Sequence, residues 1–433
     1  MRKSLGLLTV LMIVLLPLTL LATGLFPGIQ IKTARNFVEY LANGNFNSAE
    51  EMFTPKMSTA LPLSKLSATW KSLQAQFGKY ELIANLNAVR SGEYVVVVVS
   101  TKFEKTYLDI KVVLDSNLKV AGLWIAPGRA PKYSLPSYVD SKKFSVKKIE
   151  IGNEWKLPAE LTIPKGKGPF PAVVLIPGSG PSDMNESIGP NEPFKDLAYG
   201  LSSRGIAVLR YDKRAYVYGV KVKPVNVQNV YLQDASYAID YMLKASFVNK
   251  VFVLGHSLGG YLAPKIAEEN GKIVGIIMLA APARSLAALS VDQFEYLSSL
   301  TKDKATKEKM DSIVKELELL EKHELGSSKY VMGAPASYYY ELEKYSPVKI
   351  LKSLSKPVLI CQGGKDYQVT MKDFNMFKKA FGSSKLFTFE WYPSLSHIFT
   401  PVVGVPSPLD YEKSSHVYEK LLVNIANWIK KQD

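Results

Sequence analysis

The chain has 433 residues, of which 47% are hydrophobic and 21% charged. That length exceeds one average core and implies two folded domains, and the composition excludes wholesale disorder. Lys and Arg (54) outnumber Asp and Glu (39), a formal charge of +15, but no RNP-like, zinc-finger or other nucleic-acid motif accompanies the excess, which therefore reads as a lysine-rich surface with no nucleic acid as partner.

In chain order, Arg2 and Lys3 precede a stretch from Ser4 to Ile31 that contains no charged residue. A basic start followed by an apolar run is the pattern of an export signal. Ala22-Thr23-Gly24 offers a small-residue cleavage site, while the run is also long enough to cross a bilayer as an uncleaved anchor. Residues 1–30 are thus expected to send the chain out of the cytoplasm, either secreted or attached to the outer face of the membrane. The lone Cys361 excludes an intramolecular disulfide and a lipid-bearing N-terminal cysteine. It continues the apolar run Pro357–Ile360 and reads as a buried strand thiol.

Residues 31–125 read as a small α+β unit. Ala34, Phe37, Val38 and Leu41 recur at helical spacing, and Leu66, Trp70, Leu73 and Phe77 form a second stripe. Strand-like runs follow at Tyr80–Ala88, Tyr94–Phe103, Thr106–Leu114 and Leu118–Ile125, separated by short turn clusters. Helices followed by hairpin-linked strands predict an antiparallel sheet with helices on one side. This order resembles the cone-shaped domains of the nuclear-transport-factor-two-like superfamily. The segment holds no histidine, so a structural or binding module is expected there. Residues 126–144, with Pro127, Pro131 and Pro136, read as a linker.

From residue 145 to 433 the pattern becomes α/β. Two strands, Val146–Ile151 and Lys156–Ile163, lead into Ala172–Ile176. Strands and helices then alternate through Ile206–Tyr211, Val230–Lys244, Val251–Leu254 and Ile273–Leu279, which predicts a mostly parallel sheet with right-handed crossovers and helices on both faces. Residues 283–345 interrupt the rhythm with charged, helix-forming sequence and read as a helical cap. Alternation resumes at Val358–Cys361, Met371–Phe381 and Leu386–Trp391, with a closing helix over Tyr411–Lys430.

Gly255-His256-Ser257-Leu258-Gly259-Gly260 lies between the strand Val251–Leu254 and a helix bearing Leu262, Ala263, Ile266 and Ala267. A G-x-S-x-G between strand and helix is a nucleophile elbow, in which the serine occupies a sharp turn and its hydroxyl stands clear of the sheet. From about Ser145 to Trp428 the chain resembles the α/β-hydrolase superfamily. Pro177-Gly178-Ser179-Gly180-Pro181 and Tyr211-Asp212-Lys213-Arg214, the latter with Ala215 in place of an expected glycine, resemble loops of secreted esterases related to dienelactone hydrolases.

That resemblance implies the chain order nucleophile, acid, histidine. His397, in a loop after the strand ending near Trp391, is the expected base. His323 falls in the cap helix, His416 in the closing helix at the surface, and His256 at a variable elbow position, pointing elsewhere. Asp366, in the loop after Pro357–Cys361, is the expected acid that orients His397, with Asp373 as the alternative. The oxyanion donors would be the amide of Leu258 at the helix start and, by the loop resemblance, that of Ser179. Asp212 and Arg214 are expected to form a structural ion pair. No His-Glu-x-x-His, cysteine pair or P-loop is present, so neither metal nor cofactor is expected.

These residues point to a serine carboxylesterase acting on a small-molecule ester. A peptidase or amidase of the same fold is the alternative, although residues 31–125 are too few for the β-propeller that accompanies prolyl-oligopeptidase-like enzymes. Thioesterase activity and a non-catalytic binding protein are the remaining readings.

Overall fold

A computed structural model describes residues 28–129, 133–301 and 304–432. The expected export segment lies outside these residues up to position 27. Among the described residues no helix is long and apolar enough to cross a membrane. The chain divides into two compact units, one running to Lys132 and including Glu412–Ser414, the other comprising Tyr133–Tyr411 and Ser415–Asp433.

The first unit contains α1 (Gly28–Ala42), α2 (Phe46–Glu50), α3 (Pro55–Ala60) and α4 (Leu63–Phe77), then strands β1 (Tyr80–Ser91), β2 (Tyr94–Phe103), β3 (Thr106–Leu114) and β4 (Val120–Pro127). The strands form an antiparallel sheet in sequence order. Along β2, Val97, Val99, Thr101 and Phe103 are buried at period two, as a half-covered strand requires. Phe37, Val38 and Leu41 of α1 and Leu66 and Trp70 of α4 close the same core, and the Trp70 ring tilts against Phe103 at 5.6 Å.

The second unit is built on an eight-stranded sheet. Its elements are β5 (Phe144–Ile151), β6 (Leu157–Pro164), β7 (Phe170–Ile176), α5 (Pro193–Ser202), β8 (Ala207–Tyr211), α6 (Arg214–Tyr218), α7 (Gln233–Leu243), β9 (Val248–His256), α8 (Leu258–Glu269) and β10 (Ile273–Leu279). The excursion α9 (Leu286–Leu300), α10 (Lys304–Glu321), the short pair β11 (Tyr330–Val331) and β12 (Ala334–Pro335), and α11 (Ala336–Glu343) follows. Then come α12 (Pro347–Leu351), β13 (Val358–Gly363), α13 (Met371–Phe381), β14 (Phe387–Tyr392) and α14 (Glu419–Lys430). The strand order is β14-β13-β10-β9-β7-β8-β6-β5. Strands from β8 to β14 pair in parallel, and β5 and β6 join antiparallel at one edge.

Both faces of this sheet are covered, which explains the continuous apolar runs of its central strands. Val174 and Val253 point into a core shared with α7, α8 and α13. Their neighbours Leu175, Leu254 and Phe252 point into the opposite core, shared with α5 and α14. Each fully buried Val, Leu, Ile or Phe contributes about 1.5–3 kcal/mol relative to exposure, so burial on both faces is the main force holding the central strands together.

Three expectations change. The proline-rich linker is docked from Tyr133 onward: the Tyr133 hydroxyl donates to Asp196 Oδ1 at 2.8 Å, and Tyr138 packs against the α5–α14 core. The closing helix begins at Glu419 rather than near Tyr411. Before it, the amides of Ser415 and Val417 donate to the side chains of Asn191 and Asp196, which removes them from any helical ladder. His416 is thus a half-buried loop residue, with Nδ1 3.2 Å from Asp196 Oδ2. His323 also lies just past its helix, with φ of 59° and its ring against Glu343.

Candidate active site

Ser257 directly follows β9 with φ 54° and ψ −121°, a left-handed conformation that a serine adopts only under tertiary constraint. Its amide donates to Leu279 O at 2.9 Å, and its carbonyl accepts from Tyr261 N in the first turn of α8. A methyl group on Gly255 would collide with the Gly259 carbonyl, and one on Gly259 with that of Ile176. The elbow therefore closes only with glycine at both positions. Within Val251–Gly260, Ser257 is the one residue that is not buried. Leu258 opens α8, so its amide belongs to the first turn, where N–H groups lack helical acceptors.

The loops that carry Asp366 and His397 follow the adjacent strands β13 and β14. They are joined through the backbone: Gly364 N donates to Tyr392 O at 2.7 Å and Lys365 N to Leu395 O at 2.9 Å. A side chain at Gly363 would lie 2.5 Å from the carbonyls of Leu395 and Ser396, so glycine permits this approach. His397 Nδ1 consequently lies 2.8 Å from Asp366 Oδ2, with the carboxylate fully buried and the ring 7% exposed. Asp366 Oδ1 accepts the amides of Gln368 and Val369 at 2.8 and 2.9 Å, and Gln362 Nε2 donates to Oδ2 at 3.2 Å. These donors hold the carboxylate in one orientation, and its bond to Nδ1 leaves Nε2 as the unprotonated nitrogen of the neutral ring. Asp373 is committed elsewhere, accepting from Ala283 N and pairing with Arg284.

The glycine-rich loop after β7 passes beside the elbow. A methyl group on Gly178 would stand 3.2 Å from Ser257 Cβ. Ser179 follows at the exposed surface of this loop.

Comparison with known proteins gives this arrangement a context. Residues 184–400 match the family described as serine aminopeptidase, S33, and residues 34–123 match a family of unknown function, DUF3887. The chain is 40% identical over 395 residues to esterase EstD of Thermotoga maritima, covering 91% of this chain and 94% of that one. The chain belongs to the esterases of the α/β-hydrolase superfamily. Solved structures similar to this esterase include Est1E from Butyrivibrio proteoclasticus (19% identity, 66% of this chain and 96% of that one, TM-score 0.44). Another is the Pyrococcus furiosus esterase Pf2001 (14% identity, 70% and 97%, TM-score 0.44).

Two residues of the esterase site escape sequence reasoning. His256 does not point away: its Nε2 donates to the His397 carbonyl at 2.9 Å, and the two rings are 4.6 Å apart. Glu186, itself at φ 53°, accepts the Gly178 amide through Oε1 at 2.5 Å. Its Oε2 lies 2.8 Å from His256 Nδ1, a charge-pair separation without hydrogen-bond alignment. Burial pulls the His256 pKa down, but the Glu186 carboxylate and the His397 carbonyl outweigh it, leaving the pKa above the ordinary 6.5. The elbow motif marked position 256 as variable, and no local pattern marks Glu186.

The expected Asp212–Arg214 ion pair is absent from the esterase. Arg214 turns into α6 and pairs with buried Asp234, while Asp212 accepts the Met184 amide at 2.7 Å. Asp212 thereby pins the loop that carries Glu186.

Proposed function

We propose that this esterase cleaves carboxylic esters of small molecules through an acyl-enzyme, with Ser257 as nucleophile, His397 as general base and then acid, and Asp366 as the group that orients the imidazole. The observation that carries this reading is the buried 2.8 Å contact between His397 Nδ1 and Asp366 Oδ2, on strand-end loops of the sheet whose β9 is followed by the strained Ser257.

Nε2 removes the Ser257 proton as Oγ attacks the ester carbonyl. The amides of Leu258 and Ser179 receive the developing oxyanion, stabilising charge that the ground state lacks. His397 then protonates the leaving alcohol, and water repeats the sequence in reverse to free the acid. The excursion from α9 to α11 fits a cap beside the site: the Tyr296 ring stacks on that of Tyr367, next to Asp366, at 5.4 Å, and Gln293 Nε2 donates to Gln368 O at 2.9 Å. Residues 1–30 support export, with the mature protein either secreted or anchored to the outer face of the cytoplasmic membrane.

The test is hydrolysis of short p-nitrophenyl esters by wild type and Ser257→Ala, with fluorophosphonate labelling in parallel. Turnover and labelling should both vanish in the variant. Undiminished turnover would reject Ser257 as nucleophile, and faster cleavage of peptide p-nitroanilides than of esters would favour an amidase.

A further inference from the structure

Of the buried cations that the mechanism does not use, Arg210 and Arg214 pair with Glu160 and Asp234, whereas Lys213 is bonded to the loop beside Ser257. Lys213, after β8, is 3% exposed, and its Nζ donates to Gly178 O at 2.8 Å and to the Tyr231 hydroxyl at 2.7 Å. Nζ also lies 3.9 Å from the centre of the Tyr231 ring. Tyr231, likewise buried, donates its own hydroxyl to the same Gly178 carbonyl. It sits in a π-helical turn, Gln228–Leu232, that leads into α7. On the other side of Gly178, the N–H is held by Glu186.

Burying an ammonium is expensive unless the group is firmly bonded. Burial brings the Lys213 pKa down to about 7, against the opposing pull of Glu186 and Asp234. An apolar side chain would fill this space without that cost, so stability alone does not account for the lysine.

The geometry of the peptide group supplies a reason. The Gly178 carbonyl and the Ser179 N–H belong to one planar trans unit and point in opposite directions. Whatever fixes the first aims the second. We propose that Lys213 and Tyr231 are positioning residues that hold the Gly178 carbonyl so that the Ser179 amide faces the oxyanion formed at Ser257. This rests on the acyl-enzyme reading above and on Ser179 as the second donor. A preorganised donor is effective because it does not reorient during the reaction, and three donors and acceptors on a single glycine residue remove that freedom.

The test uses full-length Lys213→Met, which keeps chain length and apolar volume, and Tyr231→Phe, which keeps the ring and removes the hydroxyl. For each, kcat and KM on p-nitrophenyl butyrate are measured together with inhibition by an aryl trifluoromethyl ketone, whose serine adduct carries an oxyanion. Lys213→Met should lose about 10²–10³-fold in kcat, the range for loss of one oxyanion donor, with KM changed less than about threefold and ketone affinity falling in step with kcat. Tyr231→Phe should show the same pattern at roughly tenfold, one hydrogen bond's worth. If Lys213→Met fails to fold, Tyr231→Phe carries the test alone. Unchanged kcat and ketone affinity in a folded variant would overturn the proposal, as would a kcat loss that leaves ketone affinity intact. Ser257→Ala separates the two levels: if it stays active, the underlying mechanism fails, whereas if it is inactive and Lys213→Met is not impaired, only the positioning role fails.

Discussion

His256 donates Nε2–H to the main-chain carbonyl of His397 at 2.9 Å, so the residue before Ser257 holds the loop that carries His397. The bond spans 141 residues of sequence and ties the elbow at the end of β9 to the turn after β14. Replacing His256 by Ala should cost about 1–3 kcal/mol of stability, because the His397 carbonyl would lose a buried donor. His256→Gln, which retains an amide N–H, should recover part of that loss. Urea denaturation of the three proteins checks the order, and equal midpoints for Ala and Gln would reject the role of the donor.

The same imidazole makes a pH-dependent contribution. Its folded pKa lies above the ordinary 6.5, so the native state binds the proton more tightly than the unfolded chain. The resulting stabilisation is complete below about pH 6.5 and is lost as pH rises through the folded-state value. The stability gap between wild type and His256→Gln should therefore be widest in mild acid and narrow toward pH 9. A gap that widened with pH would contradict the assignment.

Asp366→Asn should preserve the loop, since its side-chain oxygen can still accept the Gln368 and Val369 amides. It should nonetheless reduce kcat by about 10⁴-fold, because an amide facing His397 Nδ1 favours the wrong tautomer. Steady-state kinetics, with circular dichroism to confirm folding, would decide this. A loss below tenfold would point to another acid.

Gly259→Ala places a methyl group against the Ile176 and Pro177 carbonyls, main-chain atoms that cannot swing aside. We expect destabilisation of about 1–3 kcal/mol, read as a lowered melting temperature and lost fluorophosphonate labelling. Full labelling at wild-type rates would mean that the elbow tolerates a wider turn.

Arg284 joins the start of the α9–α11 excursion to α13 by pairing with fully buried Asp373 of that helix and with Asp292 of α9. Removing one member of a buried pair costs about 3–5 kcal/mol, so Arg284→Leu should unfold at clearly lower urea. A midpoint within error of wild type would show that the Asp373 carboxylate finds another partner.

Much of this architecture is legible in the amino-acid order because the signals are local. Ser257 is flanked by glycines that the turn requires, and Asp366 and His397 each follow an apolar strand at short distance. The two-faced strands betray themselves by unbroken apolar runs. Glu186 carries no such sign, and Lys213 stands in the Tyr211–Arg214 segment without its partners being marked, since Gly178, His256 and Tyr231 are gathered by folding from separate segments. Asp212 and Arg214 misled for the converse reason: two residues apart, they are separated when α6 begins at Arg214. His416 misled because amides captured by Asn191 and Asp196 delay the helix that the apolar periodicity suggests.

Strands β10 and β13 are immediate neighbours, paired from Ile276 with Val358 to Leu279 with Cys361. A parallel pair needs only one crossover helix to connect it, and α12, just before β13, already lies within that connection. The elements from α9 to α11 are therefore surplus to closing the sheet. They are nonetheless rooted in the molecule: Leu317, Leu320, Tyr338 and Leu342 join the core that α8 shares with the sheet, and the Tyr261 hydroxyl of α8 donates to the Leu342 carbonyl, so an addition unnecessary for strand pairing has become part of what buries one face of it.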